Sequence, residues 1–234
     1  MSERWFDGQM YCPVCSNNDL SVYPNNYPVA DFFCPDCNES YQLKSQSKKF
    51  AGKVTDGAYS PMINSISSDT LPNFFFLHYD KSAYDLVDLL FVPRFFISES
   101  IIEKRNPLSS SARRAGWTGC NILFCKLADE GKIKVVEDGR EIPKGDVRQS
   151  WRKISFIGTA KADSRGWIND IMWCVNQLGR KEFTLKEIYA FEGQLKKLHP
   201  DNNNIQPKIR QQLQFLRNQG YLRFLGAGKY ALIN

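Results

Sequence analysis

No run of apolar residues in this chain approaches the ~20 needed to cross a bilayer. The longest stretches, Asn73-Phe74-Phe75-Phe76-Leu77 and Asp88-Leu89-Leu90-Phe91-Val92, are strand-sized. Internal repeats and low-complexity tracts are also lacking, so neither a solenoid nor a compositionally biased linker organises the chain. Histidine is scarce: His78 and His199 stand alone, without a partner pattern that would give either a role. The opening Met1-Ser2-Glu3-Arg4-Trp5-Phe6-Asp7 is mixed and acidic, unlike a secretory leader, so a cytoplasmic protein with no membrane association is expected. Seven cysteines in such a compartment argue against disulfides. Cys120, Cys125 and Cys174 read as lone, buried thiols.

What is present is the composition of a globular protein, with 42% hydrophobic and 24% charged residues over 234 positions. That length suits one ordinary domain and a small one. The net charge of +6 is unevenly placed: from Arg165 onward there are 11 Lys and Arg against 5 Asp and Glu, while the first 164 residues hold 20 of each sign. A basic C-terminal third points to a polyanionic partner.

Residues 73–79 and 88–93 read as buried strands, with a turn at Lys81–Asp85 between them. Ser98 to Arg105 reads as a short helix. Lys132–Val136 alternates and runs into Asp138-Gly139, a hairpin signal. Strands mixed with short helices predict an α/β or α+β domain over 1–155. Residues 156–164 read as a linker. Over 165–234 the pattern is three helices and a hairpin. Trp167–Leu178 carries one apolar stripe of Ile168, Ile171, Met172 and Val175, and Gly179 closes it. Thr184-Leu185-Lys186-Glu187 has the form of a capping box opening a helix to about Leu198. Pro207 suits a first helical position in the next helix, which stops at Gly220. Strand, glycine turn and strand follow, over Tyr221–Leu225 and Lys229–Ile233. That order is a winged helix.

Cys12-x-x-Cys15 and Cys34-x-x-Cys37 stand 18 residues apart, the spacing of a zinc ribbon. Each short turn aims two thiolates at one point, and two turns complete a tetrahedron. Four cysteine ligands leave no open position, so the zinc is expected to be structural.

The second cysteine pair lies between Val29–Phe33 and Tyr41–Lys44, two strand-like runs. Alternation sends Gln42 and Lys44 to one face and Leu43 to the other. Asp31 sits in an otherwise apolar strand, where a carboxylate needs a partner. Asp31, Gln42 and Lys44 fit a Mg²⁺ site that activates water against a phosphodiester. A salt bridge between Asp31 and Lys44 fits the same spacing.

The run Pro28-Val29-Ala30-Asp31-Phe32-Phe33-Cys34, with Cys37 and Leu43-Lys44-Ser45, resembles the active-site hairpin of the DpnI-like, methyl-directed restriction endonucleases. The likeness continues through Asp56–Tyr59, Asn73–Leu77 and Ala112–Trp117, and then Ser164–Trp167, Phe183–Leu185 and Ile209–Gln214. It implies a PD-(D/E)xK nuclease fold with a zinc knuckle and a winged helix. It also implies cleavage of double-stranded G-A-T-C when the adenine is methylated, with both domains reading the site. Asp31 and Gln42 would bind the metal, and Lys44 would orient water and stabilise charge on phosphate. Asp56 lies in a matched motif and is available to assist. The family pattern has Glu where this chain has Gln42, and a neutral amide holds Mg²⁺ less tightly. Other nucleases of the superfamily use Gln-x-Lys.

On the helix from Lys208 to Asn218 the apolar stripe leaves Arg210, Gln211, Gln214 and Asn218 outward, and Arg and Gln are types that read guanine and adenine. Arg113, Arg114 and Trp117 form a basic-aromatic cluster, a DNA-contacting loop by the resemblance. Trp167, at a helix start, is open between packing and contact. Such an enzyme needs no methyltransferase partner, and the resemblance implies a monomer. Two other readings fit the motifs: a zinc-containing winged-helix regulator without nuclease activity, and a nuclease for a different target.

Overall fold

The computed structural model describes residues 8–24 and 30–233. Met1–Asp7, Pro28 and Val29, used above, lie outside the described residues. Among those described, the strands form three sheets, and with the helices they make an α+β protein.

The largest sheet has seven strands: β1 (Ser21–Val22), β2 (Phe32–Phe33), β3 (Ser40–Gln46), β5 (Asn73–Tyr79), β6 (Leu86–Val92), β9 (Ile133–Glu137) and β10 (Arg140–Glu141), in that spatial order. Neighbours are antiparallel except β3 and β5, which run parallel with Gln42 opposite Phe74 and Lys44 opposite Phe76. A parallel pair needs a crossover. Here it comprises strand β4 (Val54–Ala58) and helix α1 (Tyr59–Ser67). The centre of the sheet is apolar on both faces, as a covered sheet requires. Tyr41, Phe75 and Phe91 stack on one face, with Phe75 5.4 Å from Tyr41 and 5.5 Å from Phe91. Phe76 turns the other way, 5.1 Å from Phe50 and 5.2 Å from Phe124. The predicted Asp-Gly hairpin is present: Asp138 and Gly139 have φ of 48° and 75° between β9 and β10.

A second sheet, not foreseen from the sequence, orders β4, β8 (Gly119–Ile122) and β7 (Ile102–Lys104). It corrects the helix expected over Ser98–Arg105. Only Glu99–Ile101 form a 3-10 turn, and the chain then extends so that Ile102 pairs with Ile122. The β-branched side chain at 102 buries on the sheet against Ile122, and tertiary packing overrides a weak helical signal. Of the three lone cysteines, Cys120 and Cys174 are buried, whereas Cys125 is exposed.

Helix α2 (Lys144–Ile154) closes one side of the first unit. The segment 156–164 holds most of the 3-10 turn Ser155–Thr159 and the first residues of helix α3 (Ala162–Gln177). The third sheet orders β11 (Glu182–Thr184), β13 (Lys229–Leu232) and β12 (Leu222–Gly226) around helices α4 (Leu185–Tyr189), α5 (Glu192–Leu198) and α6 (Ile205–Asn218). The capping box exists: Glu187 N–H donates to Thr184 Oγ1 at 3.3 Å, and Thr184 N–H donates to Glu187 Oε2 at 2.7 Å.

Three details depart from the sequence reading. The helix expected from Thr184 to Leu198 is broken, because Phe191 N–H bonds the Ile188 carbonyl three residues back and the chain turns. That turn sets the Phe191 ring edge-on to Trp173, 6.2 Å away. Pro207 is the third residue of α6 and not the first, a position whose N–H would also lack an intrahelical partner. Most consequential, α3 starts five residues earlier than expected and is buried from Arg165 through Val175 on all sides, not along one stripe. Its second face packs on the first unit. Asn169 Nδ2 donates to the Phe95 carbonyl at 2.8 Å, Trp173 Nε1 to the Cys125 carbonyl at 3.0 Å, and Arg165 to Asp69 at 2.8 Å.

Candidate active site

Three bonds fix Asp31, two of them to the residues that flank Gln42. Asp31 N–H donates to the Tyr41 carbonyl at 2.9 Å, its carbonyl accepts from Tyr23 N–H at 2.9 Å, and its carboxylate Oδ2 accepts from Leu43 N–H at 2.7 Å. The residue is therefore fixed to the backbone on both sides of Gln42. Tyr41 is fully buried against the sheet core, so Gln42 and Lys44 share the opposite face of β3.

Lys44 donates to Asp56 Oδ1, and both side chains are largely buried, at 18% and 6% exposure. The same oxygen accepts from Gly57 N–H at 2.8 Å. Asp56 Oδ2 is buried with no hydrogen-bond partner among the described residues. Sequence reasoning flagged Asp56 only through its motif. The pairing was invisible because β4 lies in a different sheet from β3. Cys120 stands opposite Asp56 in that sheet. Burial, helped by the Asp56 carboxylate, pushes its thiol up to about 11, so it is no nucleophile at neutral pH.

Next to the hairpin, Cys12, Cys15, Cys34 and Cys37 bring their sulfurs within 4.8 Å of one another. The Cys12–Cys37 and Cys15–Cys34 separations are 3.6 and 3.5 Å. Zinc–sulfur bonds of about 2.3 Å in a tetrahedron give edges of about 3.8 Å, so the donor set fits a tetrahedral metal. Backbone N–H groups of Cys15 and Asn17 point at the sulfurs of Cys12 and Cys15, at 3.4 and 3.5 Å. Burial pushes the Cys12 thiol up to about 11 and Cys37 higher still, whereas hydrogen bonds from Asn17 N–H and the neighbouring thiols outweigh burial at Cys15 and lower it. The cluster is tied to the rest of the unit. Tyr41 Oη lies 3.0 Å from Cys12 Sγ, and Arg148 on α2 donates to the carbonyls of Cys12 and Asn17 at 3.1 and 2.8 Å.

Arg113, Arg114 and Trp117 lie on the loop that enters β8, a strand of the small sheet that also holds Asp56. The Arg114 guanidinium sits 4.8 Å from the Trp117 ring centroid, and Arg113 is exposed. The Trp117 ring crowds Gly119: a Cβ there would come within 2.8 Å of the indole. On α6, Arg210, Gln211 and Gln214 are exposed, while Ile209, Gln212, Leu213 and Leu216 are buried. Lys208 is half-buried with Nζ 5.9 Å from the Trp167 ring, and Arg210 donates to Tyr189 Oη at 2.6 Å. Trp167 is buried, stacked on His199 at 3.8 Å, which makes it a packing residue. Neither histidine is alone: His199 Nε2 lies 2.7 Å from Asp170, and His78 Nδ1 lies 2.9 Å from Asp88.

Two family models match this chain. One, DpnI, the Dam-replacing family, covers residues 1–160, and the other, the Dam-replacing HTH domain, covers residues 163–231. The protein is a DNA-binding restriction endonuclease with its nuclease portion first and a helix-turn-helix portion second. Within that class, the chain belongs to the Dam-replacing family. Among the described residues no helix is long and apolar enough to cross a membrane.

Proposed function

We propose that this protein is a methyl-directed type II endonuclease that hydrolyses double-stranded DNA at G-A-T-C when the adenine is methylated. The observation that carries the reading is the grip of Asp31 on both sides of Gln42, on the strand that also presents Lys44. In this reading 1–155 is the catalytic domain, 156–164 the connection and 165–234 the reading domain.

Asp31 and Gln42 supply one carboxylate and one amide oxygen, a donor set that suits Mg²⁺ when water and phosphate oxygens complete the shell. When bound, the ion supplies Lewis-acid polarisation of the phosphate and a more acidic water. Lys44 sits on the same strand face, where its ammonium orients the water and offsets charge developing on the phosphate. The four cysteines hold zinc in a closed, structural site. Arg113, Arg114 and Trp117 contact the target from the catalytic domain. Lys208, Arg210, Gln211 and Gln214 do so from α6, with Arg and Gln suited to guanine and adenine edges. A methyl group read in an apolar pocket contributes about 1 kcal/mol, so two domains reading two methyls compound the preference. No companion methyltransferase is required, because a host without the mark is already protected, and the working unit is a monomer.

The neutral amide of Gln42 favours one alternative, a DNA-binding regulator that does not cut. Plasmid from adenine-methylating and non-methylating hosts, incubated with the protein and Mg²⁺, separates the readings. Cutting of methylated plasmid alone is expected. Cutting of both means a different target, and cutting of neither means a regulator.

A further inference from the structure

We infer that Asp56 is a positioning residue for the reaction. It holds the Lys44 ammonium in place and cancels its charge, so that the hairpin attracts a divalent cation. The inference rests on the nuclease reading above, and it concerns a residue that lies outside the hairpin and reaches it from another sheet.

Charge counting gives the first reason. On the hairpin face Asp31 carries one negative charge, Gln42 none and Lys44 one positive charge, so these three alone sum to zero. A neutral site offers a dication little attraction, and an unpaired ammonium close by repels it. The Asp56 carboxylate, bonded to Lys44, brings the sum to one negative charge. Geometry gives the second. A lysine pinned by a mostly buried acid cannot swing away, and holding a charged group where charge develops is how such groups accelerate reactions. The third reason is the state of the carboxylate itself. Oδ1 takes both bonds, from Lys44 and from Gly57 N–H, while Oδ2 is buried and has no partner among the described residues. An unbonded buried acceptor is costly, so Oδ2 calls for a further partner. An open acceptor beside a water-orienting ammonium is suited to a bound water.

The test uses full-length protein purified without chelator. Mn²⁺ binding is measured by calorimetry in the absence of DNA, and kcat and KM are measured on methylated duplex. Asp56→Asn leaves the site with no net charge, and about tenfold weaker Mn²⁺ binding is expected. Lys44→Met/Asp56→Asn restores one negative charge and is expected to bind Mn²⁺ within about threefold of the parent. It also keeps the idea testable should Asp56→Asn alone, with an orphaned buried ammonium, fail to fold. In kcat, Asp56→Asn should lose about 10²-fold with KM little changed, Asp56→Glu should recover part of that loss, and adding Asp56→Asn to Lys44→Met should cost little more. Mn²⁺ binding lost in Asp31→Ala but unchanged in Asp56→Asn overturns this inference and leaves the nuclease reading standing. So does a double variant that binds as weakly as Asp56→Asn. Binding unaffected by Asp31→Ala overturns both.

Discussion

Asp170 and His199 share a 2.7 Å hydrogen bond on the reading domain, and the other oxygen of Asp170 accepts from Ser100 of the nuclease portion at 2.9 Å. Asp170 is buried at 3% exposure, and the His199 ring is stacked on Trp167. One carboxylate therefore joins the loop that leads into α6 to the domain that cuts.

Breaking this junction should separate the two portions without dismantling either. Asp170→Asn replaces a buried, doubly bonded carboxylate with an amide and is expected to destabilise the junction by about 1–3 kcal/mol, with Ser100→Ala costing about 1 kcal/mol. Limited proteolysis of Asp170→Asn should cut within 155–161 faster than in the parent, while the two halves stay folded by circular dichroism. Equal proteolysis rates would mean that other contacts of α3 hold the seam unaided.

Loss of the metal should be felt well beyond the cysteines. A structural zinc is worth about 10–16 kcal/mol in small peptides, and here the knuckle is bonded to β3 through Tyr41 and to α2 through Arg148. One zinc per chain by atomic emission is the expected content. Cys34→Ser or prolonged chelation should abolish cooperative unfolding of the nuclease portion, and Arg148→Ala should speed zinc loss. A metal-free protein with the parent's thermal midpoint would refute the structural role.

A side chain at position 119 should displace the Trp117 ring. A Cβ would meet the Trp117 ring at 2.8 Å and lift it from the sheet. Gly119→Ala is expected to shift tryptophan emission and to weaken binding of methylated duplex about tenfold, with the same loss expected of Trp117→Ala and cation binding at the hairpin intact. Parent-like affinity in both variants would remove Trp117 from the interface.

An acid-dependent term sits at the far end of β5 and β6. Burial would raise the Asp88 carboxyl, but hydrogen bonds from the His78 ring and Asp138 N–H outweigh it and hold the group below its ordinary range. A depressed carboxylate contributes stability in full above its unfolded value of about 3.9, and the contribution disappears as pH falls through the lower folded value. Asp88→Asn should therefore be less stable than the parent at pH 7 by about 1 kcal/mol and equal to it at strongly acidic pH, read as urea midpoints. A difference that persists in acid would assign the loss to packing.

The parts legible in the sequence are those set by local pattern. The cysteine spacing located the metal cluster, alternation placed Gln42 and Lys44 on one face of β3, Asp138-Gly139 marked its hairpin, and Thr184 with Glu187 marked a helix start. Legibility failed where distant segments decide. Ile102 becomes a strand because Ile122 is there to pair with it, and α3 buries Asn169 and Asp170 because another unit covers them. Asp56 meets Lys44 across two sheets that no sequence spacing relates. The resemblance to a known family supplied what pattern could not, namely the proposal that this hairpin of Asp, Gln and Lys cuts DNA, and the family models bear out the family itself.

In the proposed reading Gln42 weakens the hold of the hairpin on its cation. Gln42→Glu adds a negative charge beside Asp31 and should lower the Mg²⁺ concentration needed for half-maximal cutting by about tenfold, measured by titration on methylated plasmid. An unchanged requirement would place Gln42 outside the metal's shell.

The most direct measurement compares Asp31→Ala with the parent protein on plasmid from an adenine-methylating host in Mg²⁺. A parent that linearises the plasmid and a folded variant slower by at least 10³-fold are predicted. A variant that digests at the parent's rate would contradict the assignment of Asp31 to the cutting site.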